Sequence, residues 1–348
     1  MFFYIGIFFL LIFFYAIRKN GKSFLIVTSA ILVLISFLRA ETVGIDHLGY
    51  KYGFLVELRE LGIVSSLFKW DIGWVLLNFF VIETYDNWVF LLFIVACFTI
   101  IPIVLFMKKM TPDPLLAIIL FYLFYNYNLS FSLIKQSLSI SIFVWAIYFF
   151  NRNTYIKASI TYVINVLIHY SSLLVLPFIV LSKILKNIKT KWVIIILGVT
   201  FVAGLVGFDS SFRYVISFLP FEKYAHYAEY NEGVQINRLN TYLFILPKNI
   251  ACILFFYYLK NSKFDFLKNL VFLNLISANL FIAESLFSRF VLYLYPLEIV
   301  LLIHLIYSFK NKKEKLLVKN LVIFYGLIYF LYNLFTNRGG IIPYESIF

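Results

Sequence analysis

Acidic residues are scarce in this chain, 17 against 30 Lys and Arg, and no two aspartates stand in the Asp-x-Asp spacing that holds a divalent metal with a nucleotide sugar. A phosphate-cradling Gly-rich loop, an HExxH pair and a Ser nucleophile elbow are also missing. Nucleotide-driven and metal-dependent chemistry both lose their usual signatures, so neither a metal nor an organic cofactor is expected. The 2 cysteines, Cys97 and Cys252, lie inside apolar runs and read as small packing residues, with no disulfide framework or metal cluster to build from them. Charge is sparse as well: 14% charged and 63% hydrophobic, where soluble domains run at about 25% and about 45–50%.

What fills the chain instead is a series of apolar runs with sorted charge between them. Basic clusters fall at Arg18/Lys19/Lys22, Lys108/Lys109, Arg152/Lys157, Lys183–Lys191, Lys260–Lys268 and Lys310–Lys319, while connections 39–87 and 208–240 hold most of the acids. That alternation is the positive-inside pattern of a multi-pass helical membrane protein. The net charge of +13 is dispersed through short loops, which fits a cytoplasmic anchor on anionic lipid and not a nucleic-acid partner. The fold class expected is all-α: one transmembrane domain over 1–348, a bundle of about ten spans. The spans lie near 2–17, 24–38, 88–107, 115–131, 136–150, 192–207, 241–259, 269–283, 290–308 and 318–335. The run 2–17 has its basic pair after it, the reverse of a signal peptide, so it is expected to stay as a span with the N-terminus outside. Stretches 70–82 and 158–180 are also apolar; charge sorting favours re-entrant or interfacial packing for both, with a version of about twelve spans as the alternative. With about ten, both termini face outward.

Two outer regions follow, 39–87 and an amphipathic loop, 208–240, with aromatics at helical spacing. Ionisable groups at membrane depth are costly, about 2.5–3.5 kcal/mol each at a span centre, and so mark candidate sites. Arg39 either ends a span or holds a phosphate, and Asp46 either caps the next helix or shares a working face with Tyr50. Asn128, Ser132, Lys135/Gln136 and Ser139 fall on one helical face, where Lys135 either binds phosphate or sugar hydroxyls or snorkels. Thr161, Asn165, His169 and Ser172 make a second such stripe; His169 is a general base or a packed histidine. Ser285, Arg289 and Tyr293 make a third, with Arg289 an anion ligand or an interface anchor.

In order, Arg39…Val43-Gly44-x-Asp46…Tyr50, Asp71-x-Gly73-Trp74, Ile134-Lys135-Gln136-x-Leu138, His169-x-Ser171 before Leu176-Pro177, and Ser288-Arg289 with Tyr293 and Pro296 resemble the EpsG family of Wzy-like polysaccharide polymerases. The family usually has Arg where Lys135 stands and Glu where Asp71 stands. The resemblance implies a metal-independent glycosyltransferase of the bacterial cytoplasmic membrane. Its substrates would be polyprenyl-pyrophosphate-linked oligosaccharide repeat units, joined on the outer leaflet into capsule, exopolysaccharide or O-antigen. A repeat-unit flippase and a chain-length regulator are the implied partners beside membrane lipids. On this expectation Arg39 and Arg289 clamp the pyrophosphate and His169, or second Asp46, is the base. Lys135, Gln136, Tyr50, Arg238 and Tyr293 bind substrate. A glycan ligase or membrane acyltransferase, and in another class a flippase, are the competing readings; a flippase would need a polar path across the whole bilayer.

Overall fold

The computed structural model describes residues 1–17, 21–185, 188–208, 238–281 and 289–348. Among them the chain is helical, and the one β-type contact is an isolated antiparallel bridge between Arg39 and Ser346. The amphipathic helix expected over 208–240 falls almost wholly outside the described residues, as do Glu284 and Ser285.

In chain order the helices are α1 (Phe2–Ile17), α2 (Gly21–Phe37), α3 (His47–Tyr52), a π turn (Gly53–Leu58), α4 (Arg59–Lys69), α5 (Ile72–Thr84), α6 (Trp88–Met110), α7 (Pro114–Leu123), α8 (Asn126–Leu129), α9 (Ile134–Asn151) and α10 (Tyr155–Ile168). There follow a 3-10 turn (Tyr170–Val175), α11 (Leu176–Ile184), α12 (Thr190–Leu205), α13 (Arg238–Tyr258), α14 (Asp265–Phe281), α15 (Tyr295–Ser308) and α16 (Lys312–Phe335). Local chemistry fixes several starts. Asn87 accepts from the Val89 and Phe90 amides at 2.8 and 3.1 Å to open α6, and Asp113 caps α7 ahead of Pro114 at its first turn.

Among the described residues, five helical stretches are long and apolar enough to cross a bilayer: Trp88–Met110, Asn240–Tyr258, Ser262–Phe281, Arg289–Ser308 and Lys312–Phe335. Other expected spans are shorter. α1, at 16 residues, is about 24 Å long against a hydrocarbon core of about 30 Å. By contact the chain gathers into two compact units, Met1–Leu173 with Lys310–Phe348, and Leu174–Phe309.

In the first unit the expected fifth-span stripe is broken. Tyr125 is left-handed at φ 64°, α8 lasts four residues, and 130–133 turn before α9 begins. Asn128 and Ser132 therefore share no helix with Lys135 and Ser139. The hairpin at Asn153, φ 57°, returns α10 antiparallel to α9, pairing Phe150 with Tyr155 and Phe143 with Tyr162 at ring centroids 6.5 and 6.4 Å apart. Residues 158–168, expected in a re-entrant or interfacial segment, thus run back along α9. α10 then stops at Ile168, and His169 is extended (φ −152°, ψ 104°), so the stripe from Thr161 to Ser172 is not one helical face either.

The two ends of α9 differ in chemistry. At its C-terminal end, Lys109 lies 5.2 and 5.4 Å from the Trp145 and Tyr148 rings, and Arg152 lies 5.1 Å from Tyr148, a basic and aromatic belt. At its N-terminal end the C-terminal tail folds over residues 38–45. Ala40 donates to the Glu345 carbonyl (2.8 Å), Ile347 to that of Leu38 (2.9 Å), and Gly44 to that of Gly340 (2.9 Å). Tyr4, near the N-terminus, donates to the Ile341 carbonyl at 2.7 Å. Gly44 sits at φ +109° with the Phe131 carbonyl oxygen 2.4 Å from where a Cβ would be, so only glycine lets this loop close on the turn before α9.

The second unit contains a buried polar set that sequence reading overlooked. Lys248 pairs with Glu298 at 3.1 Å, both nearly inaccessible, and its ammonium lies 3.6 Å from the Tyr295 ring centroid. Nearby Asn279 bonds Thr200 (3.0 Å) and Asn249 (2.9 Å). Every one of these groups is partnered, which is the condition for carrying them inside apolar helices.

Candidate active site

Three helix ends converge in the first unit. Asp71 is the residue before α5, Lys135 lies in the first turn of α9, and His169 follows the last residue of α10. The Asp71 carboxylate forms an ion pair with Lys135 through Oδ2, and the same oxygen lies 3.4 Å from His169 Nδ1. The Tyr170 amide approaches its Oδ1 at 3.5 Å.

Local sequence explains the meeting. Gly73 lies directly against the end of α10: a Cβ there would stand 2.9 Å from the Leu167 carbonyl carbon and oxygen. Any larger residue would push Asp71 away from His169. On the other flank Ser139, one turn into α9 from Lys135, hydrogen-bonds Asn165, one turn back from His169. The Lys135–Ser139 spacing holds within α9, and the Ser139–Asn165 contact sets Lys135 level with His169, which lies just beyond the end of α10. Beneath the cluster a core of Phe54, Trp74, Trp88, Ile134 and Leu138 joins the π turn, α5, α6 and α9.

The electrostatics follow from this geometry. A cation in the first turn of a helix opposes the macrodipole, so Lys135 needs the carboxylate beside it. Burial alone would raise the Asp71 carboxyl, but the His169 hydrogen bond and the Lys135 charge outweigh it and hold the group below the ordinary carboxylate range. Asp71 and Lys135 side chains are each 11% exposed and His169 16%, enclosed yet reachable. An ionised carboxylate on one imidazole nitrogen orients the ring and stabilises the imidazolium formed when the other nitrogen takes a proton.

Other expected site residues are distributed as follows. Arg39 is 3% exposed; its guanidinium donates to the Ser36 carbonyl, reaches the Phe131 carbonyl at 3.5 Å and lies 5.0 Å from the Phe131 ring. It is a cation built into the loop–tail junction. Asp46 is half-buried at the start of α3 without capping it by its side chain, and its carbonyl accepts from the Tyr50 amide at 3.1 Å, which puts the two on one face. The Tyr50 ring packs on Trp70 and Trp74 at 5.7 and 5.4 Å. Gln136 is buried beside Lys135. Arg289 and Tyr293 belong to the second unit, the first half-buried and the second fully buried in a 3-10 turn. α13 begins at Arg238, whose side chain lies outside the described residues.

Asp71 and Trp70 were the residues sequence reading undervalued. The signal available was the Asp71-x-Gly73-Trp74 spacing, whose glycine marks the close helix approach. His47, by contrast, is a structural histidine: Trp88 Nε1 donates to its Nε2 at 3.0 Å and its Nδ1 faces the Val43 carbonyl at 3.3 Å.

No curated protein and no solved structure matches the chain. The model of the EpsG family matches residues 22–346, a stretch that carries the whole Asp71–Lys135–His169 cluster, and the chain belongs to that family.

Proposed function

We propose that this membrane protein is a polysaccharide polymerase that joins polyprenyl-pyrophosphate-linked repeat units at the outer face of the bacterial cytoplasmic membrane. Family membership supports the reaction class, and the observation that carries the chemistry is the His169–Asp71–Lys135 convergence at one end of the first unit. In the step proposed, an acceptor sugar hydroxyl attacks the anomeric carbon of the growing glycan. Its proton passes to His169, the C–O bond to the lipid pyrophosphate breaks, and the bonding pair leaves with the diphosphate. Asp71 holds the imidazole and stabilises its charged form; Lys135 neutralises Asp71 and lies beside the reacting centre. Asp46, half-buried at the start of α3, is the second choice of base. Arg39 is not counted among the phosphate ligands, because it is buried and its terminal guanidinium nitrogens are turned to the Ser36 and Phe131 carbonyls. Arg289, in the second unit, is proposed as an anion ligand on its own account, tested by Arg289→Ala.

The test is elongation of purified lipid-linked repeats by the purified chain. The wild type is expected to lengthen them, and His169→Gln to slow the reaction by about 100-fold or more, the range of a lost general base. Transfer of finished glycan to a different acceptor without elongation would identify a ligase. Movement of repeats across vesicles without lengthening would identify a flippase.

A further inference from the structure

Trp70 immediately precedes Asp71, and its indole is fixed on several sides. Its Nε1 donates to Glu57 Oε2 at 2.5 Å, and the other Glu57 oxygen pairs with Lys69. Gly53 of the π turn lies against the ring, where a Cβ would stand 2.9 Å from Cζ2; Tyr50 packs at 5.7 Å. The Lys135 ammonium, already paired with Asp71, is 5.5 Å from the ring centroid. Yet the indole is only partly buried.

We propose that Trp70, flanked by Tyr50, Glu57 and Lys69, is the platform of a saccharide subsite that presents the acceptor sugar to His169. This rests on the reading of Asp71–His169 as the base centre. Three observations select a neutral sugar over a diphosphate or a lipid headgroup. Lys69 is matched by Glu57 and Lys135 by Asp71, so the subsite carries no surplus of positive charge for a phosphate. An indole face offers the apolar surface against which the C–H face of a pyranose packs, and the two ion pairs supply donors and acceptors for its hydroxyls. The ring is held before a ligand arrives, which lowers the ordering cost of binding. Trp70 turns its N–H onto Glu57. Trp192, 51% exposed with Lys191 5.5 Å from its ring, is the more exposed tryptophan that serves as the control. Lys135 touches both the indole and Asp71, and so links the platform to the reacting centre.

The probe is a one-repeat oligosaccharide cut from the host cell's own polysaccharide, read by saturation-transfer NMR on the full-length chain in detergent. Binding is expected in the wild type, at least tenfold weaker in Trp70→Leu, largely kept in Trp70→Phe, and unchanged in Trp192→Leu. Glu57→Ala, which frees the indole, is expected to weaken binding several-fold and serves should Trp70→Leu not fold. Wild-type binding in Trp70→Leu, or no binding to the wild-type chain, overturns the subsite. Normal elongation by His169→Gln overturns the base assignment instead, and leaves the binding result to judge the platform alone.

Discussion

At the scale of single residues, the two histidines of the first unit show how surroundings divide one residue type between two tasks. His169 faces a carboxylate with its ring partly reachable; His47 is sealed, and burial together with the Arg39 charge pushes its imidazole down to about 4. A depressed histidine contributes stability that is complete above its ordinary value near 6.5 and is lost as pH falls toward the folded value. The detergent-solubilised protein is therefore expected to lose up to about 3 kcal/mol between about pH 6.5 and pH 4 from this group. Thermal unfolding at a series of pH values checks it: His47→Gln should be less stable at neutral pH but flatter across that window, and an unchanged slope would remove His47 as the cause. Asp71 titrates lower, so its ion pair should hold through that window and fail only below the ordinary carboxylate range. Asp71→Asn is expected to cut elongation about 100-fold, since it loses the charge that orients His169 and stabilises its imidazolium. Sequence alone exposed His169 and Lys135 as unusual residues in apolar surroundings. It could not show that Asp71 joins them, because that contact is made by three helix ends far apart along the chain.

At the scale of elements, what was legible was periodicity, and what was not was where helices stop. The spacing 135/139 places that pair on one side of α9, whereas 165/169 runs past the end of α10. The breaks at Tyr125 and His169 depend on backbone conformations that hydropathy does not encode. Glycines gave the missing information, since a closely packed glycine marks where two backbones meet. Gly73 is such a point, and Gly73→Ala is expected to destabilise by about 1–3 kcal/mol and to reduce elongation more than that loss of fold explains, because α5 must move off α10 and carry Asp71 with it. Gly49, with nothing within 4 Å of its would-be Cβ, provides the control: Gly49→Ala should change neither. Equal behaviour of the two variants, in melting and in elongation, would sever the proposed link between this helix contact and the site.

At the scale of the whole molecule, the charge sorting that first marked the chain as a membrane protein reappears in the first unit as two chemically different ends. α9 carries Lys135 at one end and meets the Lys109–Trp145–Tyr148–Arg152 belt at the other. Ser132, just before α9, bonds both the Gly339 carbonyl and the Ile45 amide, so the tail, the 38–45 loop and the cluster share the first end. α16, 24 residues and about 36 Å long, starts at Lys312 and delivers the chain to that tail, which puts Lys312 at the belt end. If basic residues face the cytoplasm, then both termini and the acid–base cluster face outward, where lipid-linked repeats are expected. A membrane-impermeant maleimide applied to intact cells tests this, in a Cys97→Ser background. Glu41→Cys and Phe348→Cys should label without permeabilisation, whereas Lys108→Cys and Lys312→Cys should label only after it. The reverse pattern would turn the molecule over, moving His169 to the cytoplasmic side and ending its candidacy as base for an outer-leaflet polymerisation, while labelling of all four in intact cells would show that the two ends are not separated by the bilayer at all.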